Sequence, residues 1–359
     1  MQPKQVHFID RPDQLERVCV ALEPVAVLGM DTEFVRERTF FPQPGLLQLS
    51  DGGQVWLMDP VALADAPEFT ECIGERLRDP DATKVLHSTG EDLEVLDAIA
   101  GAGPAPLFDT QRAAALLGWP LQTRYENLAA DLLGVDFPGG LGRNNWLRRP
   151  LPREWLDYAA ADVIALPPLQ AELSQRLADA GRLEWLVEDC RRLLRQARTD
   201  VDPVVRVKGA TGLDDDALER LARLAEWRER EARRRDVPRG FVVADGPLLA
   251  LARADIDERE ALLATAGHRG RPPRRGDREA LRAILEAPPG RFDRPAELQP
   301  LDRARRARVQ QLQKTVRRRA EELGVEPAVL ASRRDLSRHV QGAEPEWLAG
   351  WRGEILGDL

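Results

Sequence analysis

The sequence predicts an α/β domain, a mixed sheet flanked by helices, followed by two all-α units. Three observations carry that prediction. The first 60 residues hold three short apolar runs separated by turn signals, the pattern of neighbouring antiparallel strands. From there to Gly134, short apolar pieces alternate with stretches of helical periodicity, as in β-α units. From Pro152 onward the periodicity is helical, with one break in the Pro- and Gly-containing segment 199–212.

Taken in order, residues 11–23 (RPDQLERVCVALE) carry helical periodicity with Asp13 near the start. Residues 25–30 are a short apolar run bounded by Pro24 and read as a buried strand. Residues 36–44, with Pro42, Pro44 and paired aromatics, form a loop. Residues 46–50 and 54–59 are two further strands joined by an Asp51-Gly52-Gly53 hairpin turn. A helix over 70–79, a strand over 85–88 and a helix over 91–100 closed by Gly101 follow. Then come a short strand over 107–109 and helices over 110–117 and 124–133, the last stopped by Gly134. The expected division is a first domain over 1–198, a linker over 199–212, one helical unit over 213–287 and another over 288–359.

The first strand delivers two carboxylates. In VLGMDTEF, Asp31 and Glu33 are spaced i, i+2, so they project side by side from one face of the strand. Two carboxylates in a core position repel each other and resist burial unless a cation sits between them. Hard oxygen donors favour a divalent ion such as Mg²⁺ or Mn²⁺. Downstream, KVLHSTGEDLEVLD places Asp92 in the first turn of a helix, and LPREWLDYAAADVIALPPL places Tyr158 and Asp162 at i, i+4 on one helix face. The alanine run at 159–161 leaves room for close approach to the phenol and the carboxylate. An isolated D-x-E is ordinarily solvated and an isolated helical tyrosine ordinarily packs into a core; their recurrence together is what suggests a site.

Together these elements resemble the tyrosine-containing branch of the DEDD exonuclease superfamily, and within it the ribonuclease D family. The segments MDTEFVRERTFFPQPGLLQLSDG, KVLHSTGEDLEVL and W-L-x-R-P-L…YAAADV carry the likeness, which spans nearly the whole chain. The resemblance implies a ribonuclease-H-like exonuclease domain. The helical unit at 213–287 resembles an HRDC domain through Leu224, Trp227, Arg228 and Ala232, then R-D-x-P at 235–238 and F-V-V-x-D at 241–245. Residues 288–359, with ELGVEPAVLASRRDLSRHV, resemble a second, more divergent unit of that kind. One departure stands at GGLGRNNW, with Arg143 and Asn144, where similar sequences often carry a basic residue and a serine, near S-x-W, before W-L-x-R-P-L. That bears on contacts to the RNA end, because no expected metal ligand is lost.

The implied reaction is hydrolysis of the 3′-terminal phosphodiester of RNA to nucleoside 5′-monophosphates, with tRNA precursors and single-stranded 3′ ends as substrates. It implies two divalent metal ions, about 3.5–4 Å apart, and so a bridging carboxylate. On the resemblance, Asp31 is the bridge, Glu33 and Asp162 complete the site of the water-activating ion, and Asp92 holds the second. Tyr158 orients the attacking water, since a phenol with an ordinary pKa near 10 is a poor base at neutral pH. Phe34, Phe40 and Phe41 are candidates for stacking on bases, and Arg143, Arg234 and Arg235 for phosphate contacts; His87 reads as structural. Two other readings stay open: the same chemistry on DNA, and a non-catalytic nucleic-acid-binding protein on the same fold.

Composition bounds these readings. The chain has 359 residues, enough for two or three domains, and 43% of them are hydrophobic, ordinary for a globular protein. No run of 18 or more apolar residues occurs, so no transmembrane helix is expected. The polar opening MQPKQVHFIDRPD reads as no secretory signal, and a cytoplasmic setting with no obligate protein partner is expected. Cys19, Cys72 and Cys190 are far apart and odd in number, so neither a zinc site nor a disulfide framework is expected. The net charge of −8 counts against a generic polyanion binder, but it is unevenly spread. Residues 1–175 hold 14 basic and 27 acidic residues, and residues 176–359 hold 38 and 33. A metal-binding acidic half beside a mildly basic half is compatible with a nuclease.

Overall fold

The computed structural model describes residues 3, 5–137, 144–343 and 346–357. Its centre is a six-stranded sheet of order β1-β4-β3-β2-β5-β6. The strands are β1 (Gln5–Ile9), β2 (Val27–Val35), β3 (Gln43–Ser50), β4 (Gln54–Met58), β5 (Thr83–Leu86) and β6 (Leu107–Asp109). β2, β3 and β4 form the expected antiparallel set, while β1 joins β4, β5 joins β2 and β6 joins β5 in parallel. β1 corrects the sequence reading, which gave residues 5–9 no element. Its short, half-exposed QVHFI is an edge strand, and its apolar signal is weak because only one neighbour covers it.

Of helices α1 (Leu15–Leu22), α2 (Pro67–Arg78) and α3 (Asp92–Ala100), α2 packs against both of the others. This corrects the cysteine expectation. Adjacent packing of α1 and α2 brings Cys19 and Cys72, 53 residues apart, to a Cα separation of 5.8 Å and into a disulfide, while Cys190 stays free and buried. Helices α4 (Thr110–Leu116), α5 (Tyr125–Leu133), α6 (Arg153–Ile164), α7 (Leu166–Asp179) and α8 (Leu183–Ala197) complete the domain. Gly101 and Gly134 close α3 and α5 with φ of 60° and 63°, the left-handed caps read from the sequence.

The remaining helices are α9 (Asp215–Arg235), α10 (Arg239–Val242), α11 (Asp245–Arg253), α12 (Ile256–Leu263), α13 (Arg275–Glu286), α14 (Arg303–Leu323), α15 (Pro327–Leu330), α16 (Arg333–Val340) and α17 (Trp351–Leu356). Apolar side chains gather in two cores. One joins Val204, Val207 and Ala210 to α9–α13, so part of the Pro/Gly segment is packed. The other is that of the sheet domain, and it takes in Val309, Leu312, Val316, Trp351 and Leu356 of α14 and α17. Trp351 stacks on Trp185 of α8 with centroids 4.4 Å apart. Arg182 donates to the carbonyls of Leu116 and Leu323 at 2.5 and 2.7 Å, satisfying the ends of α4 and α14 together. Among the described residues no helix is long and apolar enough to cross a membrane.

Candidate active site and metal centre

β2 outruns its neighbour. It pairs with β5 only as far as Gly29 opposite Val85, whereas β3 accompanies it to Val35. Beyond Gly29 one edge of β2 is therefore free, and a crevice opens at the carboxyl ends of β2 and β5, where α/β sheets commonly place their sites. Gly29 also fixes what covers it. A Cβ there would lie 3.0 Å from Leu166, Pro167 and the carbonyl of Val163, so glycine lets the α6–α7 junction pack this close. Asp31 and Glu33 have the parity of Gly29 and share its face. They meet α6, whose Asp162 and Tyr158 lie one turn apart. Carboxylate oxygens of Asp31, Glu33 and Asp162 lie within 4.8 Å of one another.

Asp92 arrives from the other side of the sheet. Thr32, between the two acids, points to the opposite face, and its Oγ1 donates to Asp92 Oδ1 at 2.5 Å. Asp92 is 9% exposed as the first residue of α3. Four acidic groups from three elements thus converge on the free edge of β2. Sequence reasoning missed Thr32, a strand residue of ordinary β propensity; its place between two acids was the available signal.

The electrostatics follow from burial without counter-charge. Burial raises the Asp31 carboxyl well above the usual range, and Asp92, Asp162 and Glu33 add to it. Glu33 is pushed to about 8 by burial, then by Asp162 and Asp92. Asp162 is pushed to about 7 by burial, partly offset by the hydroxyl of Tyr158, which donates to it. Asp92 reaches about 6 through burial, offset by the Thr32 hydrogen bond. Among the described residues no cationic side chain is a leading cause of any of these shifts. A dense set of hard oxygen donors lacking a protein cation fits divalent metal ions. Burial and Asp162 also raise the Tyr158 phenol, which therefore keeps its proton.

A pH dependence follows. Carboxyls whose folded pKa exceeds the unfolded value of about 4 bind more protons in the folded state, so stability falls as pH rises. The window runs from about 4 to the folded values near 6, 7 and 8, at up to about 1.4 kcal/mol per pH unit for each proton. In chelator, the melting temperature should fall between pH 5.5 and 8 (chosen from about those pKa values). Asp31→Asn should flatten that fall, and Mn²⁺ should stabilise wild type more at the upper pH. Parallel melting curves for wild type and variant across the range would refute this.

The structure distributes the other predicted residues. Phe34 lines the cavity beside Asp92 together with residues 88–90, Gln111 and Arg112. Phe40 is 6% exposed and belongs to the core of the first helical unit, so it anchors the loop and is not free to stack on a base. Arg233 and Arg239 lie over its ring at 5.1 and 4.6 Å. The carboxylate of Asp236, the left-handed cap of α9, accepts from the backbone amides of Phe40 and Phe41 at 2.9 and 3.0 Å. That clamp leaves Phe41 exposed at 46%. Arg234 is exposed and paired with Glu231. Arg235 is engaged by Glu231 and Asp277, so its guanidinium is spent within the protein. Arg143 lies outside the described residues. Both ring nitrogens of His87 are satisfied, by Thr110 and by the carbonyl of Thr123, at 2.9 Å each.

Comparison with known proteins agrees with this fold. Residues 6–178 match the 3′-5′ exonuclease family and residues 217–275 the HRDC domain. Ribonuclease D of Xanthomonas oryzae pv. oryzae is 36% identical over 354 residues, which cover 98% of this chain and 96% of that one. Ribonuclease D of Escherichia coli is 32% identical over 370 residues, with 98% and 96% covered. The crystal structure of E. coli RNase D, an exoribonuclease involved in structured RNA processing, is similar with a TM-score of 0.83 at 30% identity, covering 98% of this chain and 96% of that one. One full-length match thus spans the sheet domain and the helical units, and the chain belongs to the ribonuclease D family of 3′→5′ exoribonucleases.

Proposed function

We propose that this exoribonuclease trims the 3′ ends of RNA precursors, tRNA precursors among them, releasing nucleoside 5′-monophosphates. The observation that carries the proposal is the convergence of Asp31, Glu33 and Asp162 on one point, with Asp92 beside Asp31 across the free edge of β2. Asp31, Glu33, Asp92 and Asp162 would hold two divalent ions, Mg²⁺ or Mn²⁺, with Asp31 central to both. When bound, such ions neutralise charge at the scissile phosphate and acidify the attacking water.

The chain's own groups do the rest. Thr32 holds one oxygen of Asp92 and leaves the other to the crevice. Tyr158, protonated and adjoining Asp162, orients the attacking water by hydrogen bonding without taking its proton. Phe34, beside Asp92, packs against the terminal nucleotide, and Phe41 offers an exposed ring to a preceding base. The body of a structured RNA lies against the helical units. Lys208, Arg333 and Arg334 line a groove there, and among the described residues their side chains have no ion-pair partner. The setting is cytoplasmic, and no obligate protein partner is required.

The test uses a 5′-labelled single-stranded RNA and the DNA of the same sequence, each with Mg²⁺ or with chelator. The expected result is a metal-dependent ladder shortening from the RNA 3′ end, with DNA spared. Equal attack on DNA would assign the site to a nuclease indifferent to the 2′-hydroxyl. Cleavage that survives chelator would overturn the metal chemistry.

A further inference from the structure

We propose that Gln48 is a positioning residue of the metal centre: its buried carboxamide, unpartnered in the structure, turns to donate a hydrogen bond to Asp31 when ions bind and then holds that carboxylate in its ligating orientation. The inference rests on the reading of Asp31 as a metal ligand.

Gln48 lies in β3 and is 0% exposed. Neither its Oε1 nor its Nε2 has a hydrogen-bond partner among the described residues. A buried amide with both ends open is expensive, and a leucine in this apolar run (LLQLS) would avoid the expense. The register says what the amide is for. Gln48 stands directly opposite Asp31 in the antiparallel β2–β3 ladder, so the two side chains share a face, with Cβ atoms about 4.5–5.5 Å apart. On its other side Gln48 faces Leu57 of β4. Along β3, the same-face neighbours are Leu46, which is apolar, and Ser50, whose hydroxyl is occupied by the Gln54 carbonyl and the Gly52 amide. Asp31 is therefore the polar group directly opposite Gln48, with Glu33 one step along the same face and diagonal to it.

An ionised carboxylate only accepts, and a ligating one usually spends one oxygen on the ion and the other on a hydrogen-bond donor behind it. Gln48, with its amide unspent and directly across the ladder, is placed to supply that donor from the strand next door once an ion binds. The amide is neutral, so it orients Asp31 without adding a charge that would compete with a divalent ion.

The experiment titrates Mn²⁺ into Gln48→Leu without RNA, by calorimetry, alongside melting curves in chelator and steady-state kinetics. Expected are a melting temperature in chelator at or above that of wild type, a Mn²⁺ Kd raised about 10–100-fold, and a lower kcat with the KM for RNA little changed. A lower melting temperature with unaltered Mn²⁺ affinity would make Gln48 a core residue and overturn the proposal. Gln48→Met, linear and without the amide, should reproduce the pattern if leucine packs badly. Asp31→Asn in the same titration separates the two readings: if it binds Mn²⁺ as wild type does, the metal-site assignment fails whatever Gln48 does.

Discussion

Replacing Asp31 by Asn should abolish 3′-end degradation while leaving RNA bound. The substitution keeps shape and removes one charge at the point where Glu33, Asp162 and Asp92 all act on Asp31. An amide is a weaker donor to a hard cation than a carboxylate. On the proposed reading of Asp31 as the ligand shared by both ions, its loss should lower kcat by about a thousandfold or more, roughly 4 kcal/mol of transition-state stabilisation. The KM for RNA should change little, because the aromatic rings and the basic groove are untouched. In chelator the variant should be more stable than wild type at neutral pH, since a buried carboxylate that lacks a counter-charge is gone. Gain of stability with loss of activity marks a functional residue, because a structural one loses both. Single-turnover cleavage and filter binding on one RNA read the two effects separately. Activity within about tenfold of wild type would sink the assignment of Asp31.

Why Asp31 was legible and Gln48 was not is a matter of period and range. Strand parity puts Asp31 beside Glu33, and helical period puts Tyr158 above Asp162; both are local rules. Their union is tertiary, and the sequence carried it only through the order and spacing that resemble a known family. Gln48 sits in a run that reads correctly as a strand, but its importance depends on register with β2, which periodicity does not specify. The Cys19–Cys72 pair was hidden for the same reason, because only the packing of α1 on α2 makes the two neighbours. Phe40 read as a candidate for base stacking because paired aromatics in a loop advertise exposure. The structure buries one in the helical unit and exposes the other.

The second large effect concerns how the C-terminal helices are held. Asp189 of α8 is 3% exposed. Arg352 of α17 donates to both of its oxygens, Nη2 to Oδ2 at 2.7 Å and Nη1 to Oδ1, while Arg192 and the indole of Trp351 reach Oδ1 at 3.2 and 3.3 Å. Burial alone would push this carboxyl up, but the hydrogen bonds and charge of Arg352, then the charges of Arg192 and Arg112, outweigh it and hold the pKa below the usual value. Asp189→Ala should cost about 3–5 kcal/mol, because it strands a buried guanidinium. Replacing the pair together, Asp189→Leu with Arg352→Met, should cost much less than the sum of the single changes. The Asp189 contribution is present above the unfolded carboxyl value of about 4 and is lost as pH falls through the depressed folded value. Urea melts of the two single variants and the double variant, at neutral and acid pH, measure all of this. Because α14 and α17 bury their apolar faces in the core of the nuclease sheet, the wild-type chain should lose that sheet and those helices in one transition. Removing the chain after about residue 200 (the Pro/Gly break) would therefore strip part of the nuclease core along with any RNA contacts. The resulting loss of activity would say nothing about RNA affinity. A double variant that melts as early as Asp189→Ala would show instead that packing, and not the ion pair, holds the C-terminal helices in place.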